Sequence, residues 1–356
     1  MSEMKALVYH GNKDLRVEEV LEPETQQGQV KLAVDFCGIC ATDIEEYLYG
    51  PVFISGDAPN PVTGKMMPLV TGHEITGTVI EIAPGVSNIS ISDRVALNGV
   101  LTCEKCYWCR SGETTQCPDM AAVGFAIDGG LAERIVWRAD RLVRLPDEVN
   151  SQDAALIEPT SVAIHAVRRS GASDDDTVAI IGVGTVGMLA MQAAKGRGAK
   201  ALAVDPRQMS LDLAAELGAD ATINPLTENL SERISELTDG VGPDIVIDAA
   251  GSSETTALSV ELVRRGGQVV LVAIYTSTPT FDFNSLVATE VRVSGSLAYQ
   301  QKDVEEAVRL IAEGKIKTRQ LISDIISLDQ VIDTGFKRML APTKDVFRIL
   351  VSPNLG

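Results

Sequence analysis

The chain has 356 residues, too many for one ordinary core, and two domains are expected. Hydrophobic residues make up 45% and charged residues 22%, the balance of a soluble globular protein. A net charge of −18 repels phosphate backbones and anionic bilayers, which argues against nucleic acid and membrane as partners and for a soluble cytoplasmic protein. The opening "MSEMKALVYHGNKDLRVEEV" has no basic stretch followed by an apolar core and does not read as a signal peptide. With no secretion signal, the six cysteines argue for thiols or metal rather than disulfides. From Met1 to about Leu156, runs such as "MKALVYH", "GQVKLAVDFCG" and "EITGTVIEIAPGV" are strand-like and punctuated by Gly and Pro.

The first chemistry in chain order is "FCGICATDIEEY", with Cys37 and Cys40 spaced C-x-x-C. A redox pair of this spacing usually opens a helix beside a βαβ unit, whereas this one follows a strand in a β-rich zone. Farther on, "VTGHEITG" offers His73 and Glu74, and "ALIEPTSVAIHA" offers Glu158 at a helix start. One cysteine, one histidine and one or two carboxylates can hold zinc with an exchangeable position, the ligand economy of a catalytic zinc. Taken singly, Glu74 also reads as a strand residue and Glu158 as a charge at a helix N-terminus. In a regular strand His73 and Glu74 point to opposite faces, so joint ligation needs a local turn or an exchange of ligands. The other mid-chain histidine, His165, sits in an apolar helical stretch and reads as a core residue.

Between them lies "CEKCYWCRSGETTQC", placing Cys103, Cys106, Cys109 and Cys117 as C-x2-C-x2-C-x7-C. Four thiolates this close can close a tetrahedron around a structural zinc. An iron–sulfur cluster competes, although ferredoxin spacing puts the fourth cysteine after three residues.

From about Asp176 to Leu297 the pattern changes. Apolar runs "TVAIIG", "ALAVD", "ATIN", "DIVIDAAG", "QVVLVAI" and "EVRVSGSL" alternate with helical segments, which predicts an α/β domain with a doubly wound parallel sheet of six strands. The apolar stretch Thr177 to Ala194 is therefore read as strand, turn and helix rather than a membrane span. "AIIGVGTVG" sets Gly182, Gly184 and Gly187 as G-x-G-x-x-G after the first strand, and Asp205 follows 18 residues after Gly187. The glycines serve a tight turn, backbone approach to a pyrophosphate, and close helix–strand packing. Asp205 would accept from the adenosine ribose hydroxyls and repel a 2′-phosphate, favouring NAD(H); Arg207 tempers that preference. The tail from about Tyr299 carries two helical patterns, "DVEEAVRLIAEG" and "LDQVIDTGFKRML", and a last strand-like run, "KDVFRILVS".

The stretches "CGICATD", "GHEITGTV", the four-cysteine lobe, "GGLAE", "IEPTSVAIHAV", "GVGTVG" and "GSLAY" resemble the zinc-dependent medium-chain alcohol and polyol dehydrogenases over essentially the whole chain. "EEYLYGPVFI" and "PVTGKMMPLVTGHE" are most similar to the 2,3-butanediol dehydrogenase branch, with sorbitol and threonine 3-dehydrogenases as neighbours. The resemblance implies a β-rich GroES-like catalytic domain over residues 1–156 and 298–356, a structural zinc lobe at about 98–120, and a Rossmann domain over 157–297. It implies NAD(H), one catalytic and one structural zinc per chain, and a homo-oligomer, dimer or tetramer. It assigns the catalytic zinc to Cys40, His73, Glu74 and Glu158, leaves Cys37 a buried bystander, and begins a proton relay at Thr42. Cofactor contacts fall on Val186, Asp205, the run Val272, Ala273 and Ile274, and Leu297.

Two positions depart from the family pattern. Glu45 stands where many relatives end the relay with a histidine, which predicts an altered pH–rate profile. Ala298 stands where sorbitol dehydrogenases tend to carry an Arg, which argues for a smaller or less polar diol than a long polyol. The expected reaction is reversible oxidation of a small secondary alcohol or vicinal diol. Polyol or L-threonine oxidation, a zinc-independent reductase on the same fold and a non-catalytic nucleotide-binding relative are the competing readings.

Overall fold

A computed structural model describes residues 2–275, 278–341, 343 and 345–355. The chain divides into two compact units, one of Met1–Glu158, Tyr299–Ala312 and Leu321–Gly356, the other of Pro159–Ala298 and Glu313–Gln320. Each contains its own buried core.

In the first unit the long strand Gln29–Ile39 is the hub. Its residues alternate Val30, Leu32 and Val34 into a fully buried core, the period-2 signature of a strand with one wet face. It pairs antiparallel with Glu74–Ile82, with Arg134–Arg138 and with Arg348–Ser352. Two register shifts against Glu74–Ile82 bend the strand, which lets it serve several neighbours. The predicted final run begins at Lys344, outside the described residues; Arg348–Ser352 is its strand. That strand also pairs in parallel with Ile322–Ser327, which the sequence pattern did not reveal. The segment predicted as one helix from Leu328 runs instead as a 3-10 turn, a π-helical turn over Val331–Phe336 and a short α turn. A Cβ on Gly335 would press on the side-chain ends of Ile39 and Ile326, so the irregular turns sit directly on the sheet.

In the second unit six strands, Thr177–Ile181, Lys200–Val204, Ala221–Ile223, Ile245–Asp248, Gln268–Leu271 and Arg292–Gly295, form one all-parallel sheet. Numbered within the sheet, their spatial order is 3-2-1-4-5-6. That order has a switch point beside the first strand, where two halves of the sheet diverge and a dinucleotide can lie across the strand ends. All six predicted apolar runs contribute a strand. One helix, Phe283–Thr289, lacks a sequence signal, and none of its residues is buried. Among the described residues no helix is long and apolar enough to cross a membrane.

Candidate active site and metal centres

Cys40 caps the helix Ala41–Tyr49, and Asp43 fastens the turn by accepting from the Cys40 backbone N–H at 2.8 Å. His73 lies just outside the strand Glu74–Ile82, after Gly72 in the left-handed region at φ +94°. A Cβ on Gly72 would strike Leu131 and the Cys37 sulfur, so this turn depends on glycine. The turn answers the difficulty of adjacent ligands: His73 is not in regular strand geometry and need not point away from Glu74. Across the strand pair Gly38 sits opposite Glu74, and a Cβ there would collide with the Glu74 carboxylate. The result is that donor atoms of Cys40, His73 and Glu74 all lie within 4.8 Å of one another.

Glu158, in the first turn of the helix Ile157–Ser170, stands outside that mutual distance, yet it is close enough to feel its charges. Burial pushes the Glu158 carboxyl up to about 7; His73 opposes this and Glu74 adds to it. Burial disfavours a charged His73 imidazole, but the Asp43 carboxylate and Cys40 sulfur reverse this and hold it well above its usual value. Asp43 Oδ1 is 3.4 Å from His73 Nδ1, which orients the ring and leaves Nε2 for a ligand. Burial also raises Glu74, against the pull of Arg348 and His73. Both Glu74 carboxylate oxygens are buried and make no hydrogen bond among the described residues, with Oε1 ion-paired to Arg348, so lone pairs remain to ligate a cation. Sulfur, imidazole and carboxylate together are a zinc donor set, and the residues fit that ion.

Arg348, like Asp43, is a site residue that sequence reasoning missed. Its guanidinium is buried, lies 3.2 Å from Glu74 Oε1, and donates to the Ile39 carbonyl at 2.8 Å. Nothing local in "VFRILVS" marks it, because the pairing of its strand with Gln29–Ile39 creates the contact.

Thr42 and Glu45 lie one turn apart on the helix, both partly buried, and the Thr42 hydroxyl is 3.7 Å from Cys40 Sγ. Burial raises the Glu45 carboxyl above its ordinary value. Cys37 is fully buried behind the trio, and burial followed by the nearby Asp43 and Glu74 charges holds its thiol well above the ordinary range. His165 is buried in its helix, its Nδ1 3.1 Å from an Arg168 nitrogen.

The four-cysteine lobe is a second metal-capable group. The sulfurs of Cys103, Cys106, Cys109 and Cys117 lie within 4.8 Å of one another, with three separations of 3.4, 3.6 and 3.9 Å. A Zn–S bond of 2.3 Å implies a tetrahedral S···S edge of about 3.8 Å. The helical turn Tyr107–Arg110 and the strands Val100–Leu101 and Ala121–Ala122 set this spacing. Backbone N–H groups of Cys103 and Cys109 point to the Cys117 and Cys106 sulfurs, supporting thiolate charge.

In the second unit Gly182 turns at φ +85° after the strand Thr177–Ile181, and Gly184 caps the helix Thr185–Gly196. A Cβ on Gly187 would collide with the Gly182 carbonyl, so helix and strand meet at a distance only glycine permits. Val186, in the first turn of this helix, is half-buried. Asp205 is buried at the end of the second strand. Its Oδ2 accepts from the Val183 N–H at 3.0 Å, and Arg207 grips it through backbone and guanidinium at 2.9–3.0 Å. Val272 and Ala273 are half-buried beyond the fifth strand, while Ile274 and Leu297 are exposed.

Residues 26–147 match the alcohol dehydrogenase GroES-like domain and residues 185–313 the zinc-binding dehydrogenase domain. An (R,R)-butanediol dehydrogenase of Bacillus subtilis (strain 168) is 34% identical over 354 residues, 99% of this chain and 100% of the relative. The chain belongs to the zinc-binding medium-chain dehydrogenases. A sorbitol dehydrogenase of Halalkalibacterium halodurans is 31% identical, over 90% of this chain and 92% of that protein. The crystal structure of 2R,3R-butanediol dehydrogenase from Bacillus subtilis superposes with a TM-score of 0.92 at 33% identity, covering 99% of this chain and 100% of that one. The fold is thus a GroES-like domain joined to a Rossmann domain. As a member of this family the chain is an oxidoreductase that uses zinc and NAD(H).

Proposed function

We propose that the chain catalyses reversible oxidation of a small secondary alcohol or vicinal diol, of the 2,3-butanediol kind, to the ketone: R2CHOH + NAD+ gives R2CO + NADH + H+. The observation that carries this is the trio of half-buried Cys40 with buried His73 and Glu74, the Glu74 oxygens free of hydrogen bonds among the described residues, in a chain colinear with butanediol dehydrogenases. Bound zinc would act as a Lewis acid that lowers the pKa of a substrate hydroxyl.

Cys40, His73 and Glu74 would hold that zinc, with Glu158 as an exchangeable fourth carboxylate. Thr42 Oγ1 accepts the hydroxyl proton as it gives up its own, which is passed outward to the Glu45 carboxylate as terminal base. Asp43 fixes the imidazole, and Arg348 balances Glu74. Cys103, Cys106, Cys109 and Cys117 would hold the structural zinc, which supplies no open position. Gly182, Gly184, Val186 and Gly187 receive the pyrophosphate at the helix N-terminus. Asp205 holds the adenosine ribose after Arg207 yields some of its grip. Val272, Ala273, Ile274 and Leu297 contact the nicotinamide end.

Polyol oxidation is the second reading, favoured by the sorbitol dehydrogenase relative and opposed by Ala298. Screening NAD reduction with butanediol stereoisomers, sorbitol, xylitol, threonine and simple secondary alcohols separates the two, and metal analysis should find two zinc ions per chain. Turnover of threonine or long polyols in preference to diols would overturn the diol reading. The protein is further proposed to be cytoplasmic and to form a dimer or tetramer. The edge strand Arg292–Gly295 is largely exposed, and Phe283 and Val287 nearby are 72% and 81% exposed, an apolar edge suited to a second copy.

A further inference from the structure

The helix that carries the zinc-side residues also carries Glu46, one turn after Asp43, whose carboxylate is engaged by the loop that follows the helix. Glu46 is 2% exposed, and its two oxygens accept from the backbone N–H groups of Val52 and Phe53 at 2.9 and 2.8 Å. Its backbone carbonyl accepts from the Gly50 N–H at 2.9 Å, so one residue ends the helix and holds the loop that follows. The Tyr9 hydroxyl, buried without a hydrogen bond among the described residues, flanks the same spot. A Cβ on Gly50 would fall 2.5 Å from that hydroxyl and 2.7 Å from Glu46 Oε1, so the closure leaves space for glycine alone.

The clamped loop leads somewhere specific. Ile54 is buried in a small cluster with Tyr9, Leu69 and Phe125. The Phe53 ring, 37% exposed, meets Phe125 edge-on at 5.6 Å, and Phe125 lies 4.8 Å from the His73 imidazole. A chain of three rings thus runs from a proposed zinc ligand out to an accessible aromatic face, and Glu46 fixes its outer end.

We infer that Glu46 is a positioning residue for substrate selection: its carboxylate clamps residues 50–54 so that Phe53, packed on Phe125 beside His73, forms an apolar wall for the carbon chain of the alcohol. This rests on the alcohol-oxidation reading. The clamp uses charge as well as shape. A carboxylate accepts at both oxygens, whereas the amide of Gln presents an NH2 to one of the two N–H donors and must lose that bond.

The test compares the holoenzyme with Glu46→Gln and Phe53→Ala. In Glu46→Gln, amide hydrogen exchange at Val52 and Phe53 should accelerate while zinc content and NADH affinity stay at the wild-type level. Its KM for (2R,3R)-butanediol should rise about tenfold with a smaller change in kcat, and KM for 2-propanol, too short to reach the wall, should stay put. Phe53→Ala, which leaves the clamp intact, should reproduce the KM split without the faster exchange; it carries the test if Glu46→Gln fails to fold. Unchanged exchange at residues 52 and 53, or equal KM changes for diol and 2-propanol, would overturn the assignment. A wild-type enzyme that oxidises no alcohol would sink the alcohol reading instead, and the exchange result would then decide the clamp alone.

Discussion

The two metal-capable groups of this protein are built in opposite ways. The four-cysteine lobe takes all its donors from one stretch, Cys103 to Cys117, on short turns at the surface, and its donors are chemically identical. The Cys40, His73 and Glu74 group collects unlike donors from a helix cap, a glycine-dependent turn and a strand start, and surrounds them with Asp43, Glu158 and Arg348 in a buried setting. Around a zinc ion, four thiolates would complete a tetrahedron and leave no position open, so that lobe would only hold chain together. Three mixed donors would leave a position for substrate, and their charges would have to be balanced by neighbours.

The largest expected effect breaks the buried group at its ligand. Cys40→Ser should lower kcat/KM by about a thousandfold or more while one zinc per chain remains, read by steady-state kinetics and metal analysis. Cys109→Ser should do the reverse. It should remove the other zinc, lower the thermal midpoint and speed proteolysis within 98–120, with kcat/KM of the surviving enzyme much less affected. Equal activity losses in the two variants would erase the distinction between the sites.

Arg348→Met comes next. It leaves the Glu74 carboxylate buried without its guanidinium partner, and breaking such a pair costs about 3–5 kcal/mol where no metal neutralises it, measurable by denaturant unfolding with chelator present. Asp43→Asn keeps the shape but weakens the hold on His73, and zinc affinity or kcat/KM should fall by about 10- to 100-fold.

The smallest effect concerns pH. Burial raises the Glu45 carboxyl, so it protonates at higher pH than an exposed glutamate, and a relay ending there loses rate as pH falls through that raised value. Glu45→Gln should abolish this acid limb, and Glu45→His should move it toward the ordinary imidazole pKa of about 6.5. An unchanged profile in both variants would remove Glu45 from the relay.

What could be read from the sequence follows the range of the forces involved. The parallel sheet was legible because its central strands are buried on both faces and write continuous apolar runs, as in "TVAIIG" and "QVVLVAI". The cysteine lobe was legible because its geometry is nearly its spacing. The donor types of the mixed site were legible in the residues, but their convergence came only with the resemblance, since His73 and Glu74 meet through a turn at Gly72 that a strand pattern denies. Arg348 and the clamp at Glu46 were not legible at all. In "DIEEY" nothing sets Glu46 apart from the neighbouring Glu45, yet its helix turns it inward to backbone amides. Arg348 reaches Glu74 through strand pairing between segments far apart in the chain, and no local signal encodes that register.

That pairing gives synthesis an order. The strand Gln29–Ile39 is made early, but the neighbour that delivers Arg348 to Glu74 exists only once residues 348–352 have left the ribosome. The nucleotide-binding sheet, complete by Gly295, has all its strands long before then. A nascent chain therefore passes through a stage with all strands of the nucleotide-binding sheet made and a metal-capable group whose buried Glu74 still lacks Arg348. Domains tend to fold as units during synthesis. Zinc capture at the mixed site is accordingly expected to be a late, post-release event, whereas the cysteine lobe can load its ion while translation continues.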